Sequence, residues 1–239
     1  MARRRFLVDH ICDNIAELRG GDARHLARVL RAAPGQQYEI SDGASVYLAE
    51  ISAIERDRIV FHALTALDSP LAPVRLTLLA ALIKFDRFEW IVEKATELGV
   101  ERIVPVEAER SGKGLLEASR KRAERWARIA RESSQQSRRV RAPEIPPAVR
   151  FEQSLAEEAD YRYFLEETAA PPFLRALPSC RPIAVRAALL TGPEGGWTDA
   201  ERQLAAAAGW QPVSLGPQVL RAETAAAAAI AVLVNAWIA

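Results

Sequence analysis

The chain predicts an α/β protein in which a mostly parallel sheet is covered by helices on both faces, with a small β-barrel domain in front of it. Three observations predict this. From Val74 onward, short apolar runs alternate with segments of helical periodicity, the pattern of repeated β-α units. Up to Ser69, short strand-like runs follow one another through turns. Between them "DSPLAP", with Pro70 and Pro73, breaks both patterns and sets the predicted domains at 1–69 and 74–239.

In the first domain, Asp22 to Arg31 carries Ala23, Leu26, Val29 and Leu30 at helical spacing. The strand "QQYEI", the turn "SDGAS" and the strands "VYLAEI" and "RIVFHAL" follow. The second domain opens with "VRLTLLAALI", a buried strand. In "DRFEWIVEKATELG", residues Phe88, Ile91, Val92, Ala95 and Leu98 share one helix face, and Gly99 stops it. "VERIVPVEA" is the next strand, Leu115 to about Ser137 a long basic helix, and "YRYFLEE" a further strand. Then come the strand "RAALLT", a helix from Asp199 to Ala208 stopped by Gly209, the strand "QPVSLG" ending at Leu215, and an alanine-rich helix from Leu220 onward.

The chain of 239 residues is 49% hydrophobic, ample for a core, and no apolar run approaches the roughly 18 residues of a membrane span. Its basic start lacks an apolar signal region, so a cytoplasmic location is expected. Cys12 and Cys180 stand outside any C-x-x-C pattern, and His10, His25 and His62 show no ligand spacing. Neither a disulfide framework nor a metal site is expected.

The net charge of +1 hides segregation. Arg110 to Arg141 holds nine arginines and two lysines against three glutamates, a local balance of +8. The first 31 residues hold seven arginines against four acids. Two such segments point to a phosphate backbone as partner, the alternative being solvated helix faces. Arg5, Arg28 and Arg31 in the first domain and Arg110, Arg138 and Arg139 in the second are the candidate contacts to such a backbone, of RNA or DNA.

"LLTGPEGGWTDAE" places three glycines and a proline between an apolar run and Thr198-Asp199-Ala200-Glu201, a T-x-x-E capping box. Such a loop lies at the carboxyl end of a strand, where ligands of open α/β sheets bind. "SLGPQVLRAETAAAAA" repeats the arrangement with a second Gly-Pro pair. Neither loop fits G-x-x-x-x-G-K-[ST] or G-x-G-x-x-G, which weighs against phosphate cradling and dinucleotide binding.

Together the paired motifs "LLTGPEGGWTDAE" and "VSLGPQVLRAETA" resemble those of the RsmE family in the SPOUT superfamily. Its members methylate N3 of a decoding-centre uridine in 16S rRNA with S-adenosylmethionine. "KFDRFEWIVEKATELGV", "ERS" at Glu109 to Ser111 and "RWARIARESSQQSRR" are similar to further family blocks. "RRRF" and "HLARVLRAAPGQQYEISDG" resemble its PUA-like RNA-binding domain. The chain departs from the family at Thr191, where an aliphatic residue is usual, at Trp197, where Phe is common, and at Phe85, where glycine is frequent.

The resemblance implies a SPOUT-type sheet with a C-terminal trefoil knot, a homodimer with the site near the partner subunit, and the assembled small ribosomal subunit as substrate. It places the S-adenosylmethionine pocket at Leu190, Thr191, Gly192, Glu194, Gly195 and Gly196 with Leu215, Gly216, Leu220, Arg221 and Thr224. In the reaction, Arg221 is expected to stabilise charge on the uracil oxygens or hold a phosphate, and Glu194 to accept a proton or orient loop amides. The alternative for Arg221 is a salt bridge to Glu223 or an exposed helix position. A noncatalytic RNA-binding module and a nicotinamide-dependent oxidoreductase are the competing readings; the first predicts no donor binding and the second lacks the glycine fingerprint.

Overall fold

The computed structural model describes residues 4–69, 74–167, 170–178 and 185–237. The predicted boundary segment Pro70 to Pro73 and Cys180 lie outside them. Two compact units emerge. One comprises Met1–Leu71 with Arg131–Ala142, the other Ala72–Ala130 with Pro143–Ala239.

The first unit is built on β1 (Arg5–Leu7), β2 (Ile11–Cys12), β3 (Ile15–Arg19), β4 (Gln37–Ser41), β5 (Val46–Ile54) and β6 (Arg58–Ala66). They form one sheet in the order β1-β4-β5-β6-β3-β2, antiparallel except where β1 runs parallel to β4. Alternation turns Ala16, Leu18, Ile51, Ile59 and Phe61 inward, onto Leu26 and Ala23. Those two come from α1 (Gly20–Arg24) and the π-helical turn His25–Val29 that continues it. The predicted helix Asp22–Arg31 therefore begins two residues earlier and closes two earlier, Arg31 having a left-handed φ of 51°.

The stretch Arg131–Ala142, assigned by the sequence boundary to the second domain, packs with the first unit instead. Polar bonds explain it. Arg131 Nε and Gln135 Nε2 donate to Asp22 at 2.7 and 2.8 Å, and the Ser41 hydroxyl donates to the Val140 carbonyl at 2.7 Å.

The second unit holds β7 (Val74–Ala81), β8 (Arg102–Glu107), β9 (Val149–Arg150), β10 (Tyr161–Leu165), β11 (Val185–Thr191) and β12 (Gln211–Val213). All neighbours in the order β12-β10-β11-β7-β8-β9 are parallel. The central strands β7 and β11 are nearly continuous apolar runs because helices bury both faces. On one side Phe88, Ile91 and Val92 of α2 (Phe85–Glu97) meet Ala226, Ile230 and Leu233 of α8 (Ala222–Ala236). On the other, Trp197, Ala205 of α7 (Asp199–Ala207) and Phe151 of α5 (Phe151–Ser154) cover Leu79, Ala188 and Leu190.

Two predicted elements differ. The basic helix is divided into α3 (Leu115–Ser119), a 3-10 turn at Arg120–Arg122 and α4 (Ala123–Gln136). Ser119 donates its hydroxyl to the Leu116 carbonyl at 2.6 Å, a local bond that competes with the helical ladder and bends it. The last strand ends at Val213 rather than Leu215, since Gly216 turns the chain at φ +127° and Ser214 bonds it on both sides. Pro212 is tolerated because β12 is an edge strand.

Candidate active site

All six strands of the second sheet point one way, so the segments after β10, β11 and β12 emerge together. They enclose a cavity of about 330 Å³, within the usual range for small-molecule sites. Leu165 ends β10 and Glu166 and Glu167 follow it, Gly192 to Trp197 follow β11, and Leu215 to Arg221 lead into α8. The two Gly-Pro loops thus wall a single cleft.

The first loop is set by Trp197, which is 1% exposed. Its indole N–H donates to the Leu165 carbonyl at 2.9 Å, and its ring packs on Phe164 and Phe151 with centroids 4.8 and 5.2 Å away. A Cβ on residue 192 would stand 3.0 Å from that indole, so the fixed Trp197 ring favours glycine at 192. Gly196 takes φ +67°, and a Cβ there would collide with the Glu167 carboxylate. The capping box forms as the sequence predicts: Thr198 Oγ1 accepts from Glu201 N at 3.3 Å, and Glu201 Oε2 accepts from Thr198 N at 2.8 Å. Glu201 Oε1 accepts from the Glu109 amide at 2.9 Å, which pins the "ERS" loop to the start of α7.

Of the expected pocket residues, Gly192, Glu194, Gly196, Leu215, Gly216, Leu220 and Arg221 line the cavity. Leu190 and Thr191 are buried at the end of β11, below it. Gly195 faces the Arg110 side chain, and Thr224 is exposed on α8. Arg221 is the N-cap residue of α8 and makes no ion pair among the described residues, so the alternative bridge to Glu223 does not form. Glu194 is ion-paired to Arg87, a cavity residue from the first turn of α2 that sequence reasoning did not single out. Glu166, also missed, lies at the cavity floor, buried and held by Arg202 Nε at 2.6 Å.

The arginines expected on RNA separate into two sets. Arg28 and Arg31 are exposed. Arg5 is only 7% exposed, a correction to its reading as a phosphate contact. Its Nε and Nη2 donate to Glu39 Oε2 at 3.1 and 2.9 Å and its Nη1 to the Arg138 carbonyl at 2.6 Å, so its donors are consumed inside the fold. Arg138 shares Glu39 from the exposed side. Burial pushes the Glu39 carboxyl up, but hydrogen bonds from Arg138 and Arg5 outweigh it and hold the group below its usual range. Arg110 donates to the Gly195 carbonyl at 2.8 Å, which gives it a part in shaping the first loop. Arg139 is half-buried, in the segment that packs with the first unit.

A cleft at the carboxyl ends of a parallel sheet, in a chain that also carries a small β unit, fits a class of RNA-modifying enzymes. Residues 70–234 match the family model of the RNA methyltransferase domain, and residues 18–64 that of the RNA methyltransferase PUA domain. The ribosomal RNA small subunit methyltransferase E of Synechocystis sp. is 33% identical over 237 residues, covering 93% of this chain and 74% of that protein. The crystal structure of ribosomal RNA small subunit methyltransferase E from Neisseria gonorrhoeae, bound to S-adenosyl methionine, aligns with a TM-score of 0.85 at 30% identity over 96% of each chain. A Legionella pneumophila methyltransferase in complex with the same cofactor aligns at 0.87 and 29% identity, over 98% of this chain and 97% of that one. The chain belongs to the RNA methyltransferase family, among the ribosomal RNA small subunit methyltransferase E enzymes.

Proposed function

We propose that the protein transfers a methyl group from S-adenosylmethionine to N3 of a decoding-centre uridine in 16S rRNA. In this reading it acts as a cytoplasmic homodimer on the assembled small ribosomal subunit. The observation that carries it is the single cavity walled by both Gly-Pro loops, in a fold shared along nearly its full length with two proteins whose structures hold that donor. The cavity suits such a ligand: Leu165, Pro193, Trp197 and Leu220 offer apolar surface to an adenosine moiety, while Gly192 and Gly196 admit close backbone approach.

When bound, the donor supplies a methyl group already activated as a sulfonium. The chain's own work is therefore to orient the uridine and to favour loss of its N3 proton. The N3 proton passes to water, the N3–C bond forms as the S–C bond breaks, and S-adenosylhomocysteine leaves. Arg221, at the cavity edge with an unpaired guanidinium, stabilises the negative charge that spreads onto the uracil oxygens. Glu194, committed to Arg87, orients its loop rather than accepting the proton. Val219, 80% exposed at the cavity rim, and Leu220 beside it support a homodimer whose partner covers the site. The two units divide as a trefoil-knotted methyltransferase domain and a PUA-like RNA-binding domain, with Arg28, Arg31, Arg138 and Arg139, all in the first unit, on the phosphate backbone.

Calorimetry with S-adenosylmethionine and transfer of labelled methyl to small ribosomal subunits test the proposal together. Micromolar donor binding with label in 16S rRNA is expected. Binding without transfer to any rRNA would reduce the protein to a donor-binding module.

A further inference from the structure

Arg87 stands where a cation is disfavoured. It is the third residue of α2, with its amide bonded to the Lys84 carbonyl at 3.0 Å, inside the first turn where the helix macrodipole is positive. Two carboxylates from different loops offset that placement. Glu194, in the loop after β11, is ion-paired to Arg87 Nη1. Glu223, in the first turn of α8, has its Oε1 3.9 Å from Arg87 Nε. The Glu223 side chain is only 13% exposed, and its Oε2 finds no hydrogen-bond partner among the described residues. Arg87 itself faces the cavity between these two groups.

We propose that Arg87 is a positioning residue for methyl transfer, its guanidinium tying the first donor loop to the start of α8 and so fixing the width of the cleft. The inference rests on the donor-binding reading above. Glu194 and Glu223 belong to the two loops that wall the cleft, and among the described residues no other ion pair links these loops. Arg221 projects from the same end of α8 as Glu223, so anchoring Glu223 also fixes the base from which Arg221 reaches the substrate. Without Arg87, the buried Glu223 carboxylate loses its nearest cation and repels its own neighbourhood. The competing role, direct binding of the donor's carboxylate by Arg87, makes different predictions.

The test uses the full-length protein and Arg87→Met, Arg87→Lys, Glu223→Gln and the double variant Arg87→Met/Glu223→Gln. Calorimetry measures S-adenosylmethionine, S-adenosylhomocysteine and methylthioadenosine, the last of which lacks the amino-acid portion. Arg87→Met is expected to weaken all three by a similar factor of about tenfold, the scale of one charge-assisted contact, with slower transfer at saturating donor. Arg87→Lys should retain most of the affinity. Adding Glu223→Gln to Arg87→Met should recover part of the loss, a rescue that a contact to the ligand itself does not give. Loss confined to the two carboxylate-bearing ligands would overturn the proposal, as would a double variant no better than Arg87→Met. If the wild-type protein binds none of the three, the donor reading falls first and the proposal with it, an outcome distinct from any difference between variants.

Discussion

Gly192→Ala puts the geometry of the donor cleft to a quantitative test. The added methyl would lie 3.0 Å from Cε2 and Nε1 of Trp197 and 3.3 Å from Cζ2, against a favourable carbon contact of roughly 3.5–4.0 Å. Neither side yields easily. The indole is fixed by its bond to the Leu165 carbonyl at 2.9 Å and by the Phe164 and Phe151 rings, while the loop is tied by Arg110 to the Gly195 carbonyl at 2.8 Å. Overpacking by one methyl in such surroundings costs about 1–3 kcal/mol. If the loop absorbs it, donor affinity falls about five- to 150-fold; if the indole does, the protein loses that stability instead. Calorimetry with S-adenosylmethionine and urea unfolding separate the two. The second-site change Trp197→Phe, which removes the clashing ring edge, should restore part of the affinity lost by Gly192→Ala. A Gly192→Ala protein with wild-type affinity and an unchanged unfolding midpoint would refute the reasoning.

Other outcomes follow from the same structure. Arg221→Ala should keep donor binding and lose about 10²–10³-fold in transfer rate, read under saturating donor in single-turnover assays; equal turnover removes Arg221 from the mechanism. Glu39→Gln should cost about 3–5 kcal/mol by leaving the buried Arg5 without its anion. Because the Glu39 pKa is lowered on folding, its stabilisation is present above the ordinary carboxyl value of 4.5 and lost as pH falls through the lower folded value. Urea midpoints below pH 4.5 should therefore drop more steeply for the wild type than for Glu39→Gln. Alanine at Arg28 or Arg31 should each reduce the slope of log affinity against log salt for rRNA by about 0.7–0.9, whereas Arg5→Ala should act through stability.

Local chemistry made the two Gly-Pro loops legible. Glycine and proline spacing marked their turns, and T-x-x-E at Thr198 foretold a cap that both Thr198 and Glu201 complete. The β-α alternation likewise announced the parallel sheet, because strands buried on both faces carry continuous apolar runs. Partners far apart in the chain stayed hidden. Arg5 reads as one more surface cation until Glu39, 34 residues on, is brought to it, and Arg87 shows no tie to Glu194, 107 residues away. Periodicity reports which face of an element is apolar, not which charges meet across a fold. For the same reason the attachment of Arg131–Ala142 to the first unit was unreadable, since it rests on single polar contacts such as Ser41 to Val140.

The most direct test of the account supplies the purified protein with labelled S-adenosylmethionine and small ribosomal subunits lacking the modification, then maps the product by reverse transcription, which a methyl on uridine N3 blocks. Label in 16S rRNA and a new stop at one decoding-centre uridine are expected, both forming far more slowly with Arg221→Ala. Label at another nucleotide, or donor binding with no stop in 16S rRNA, would contradict it.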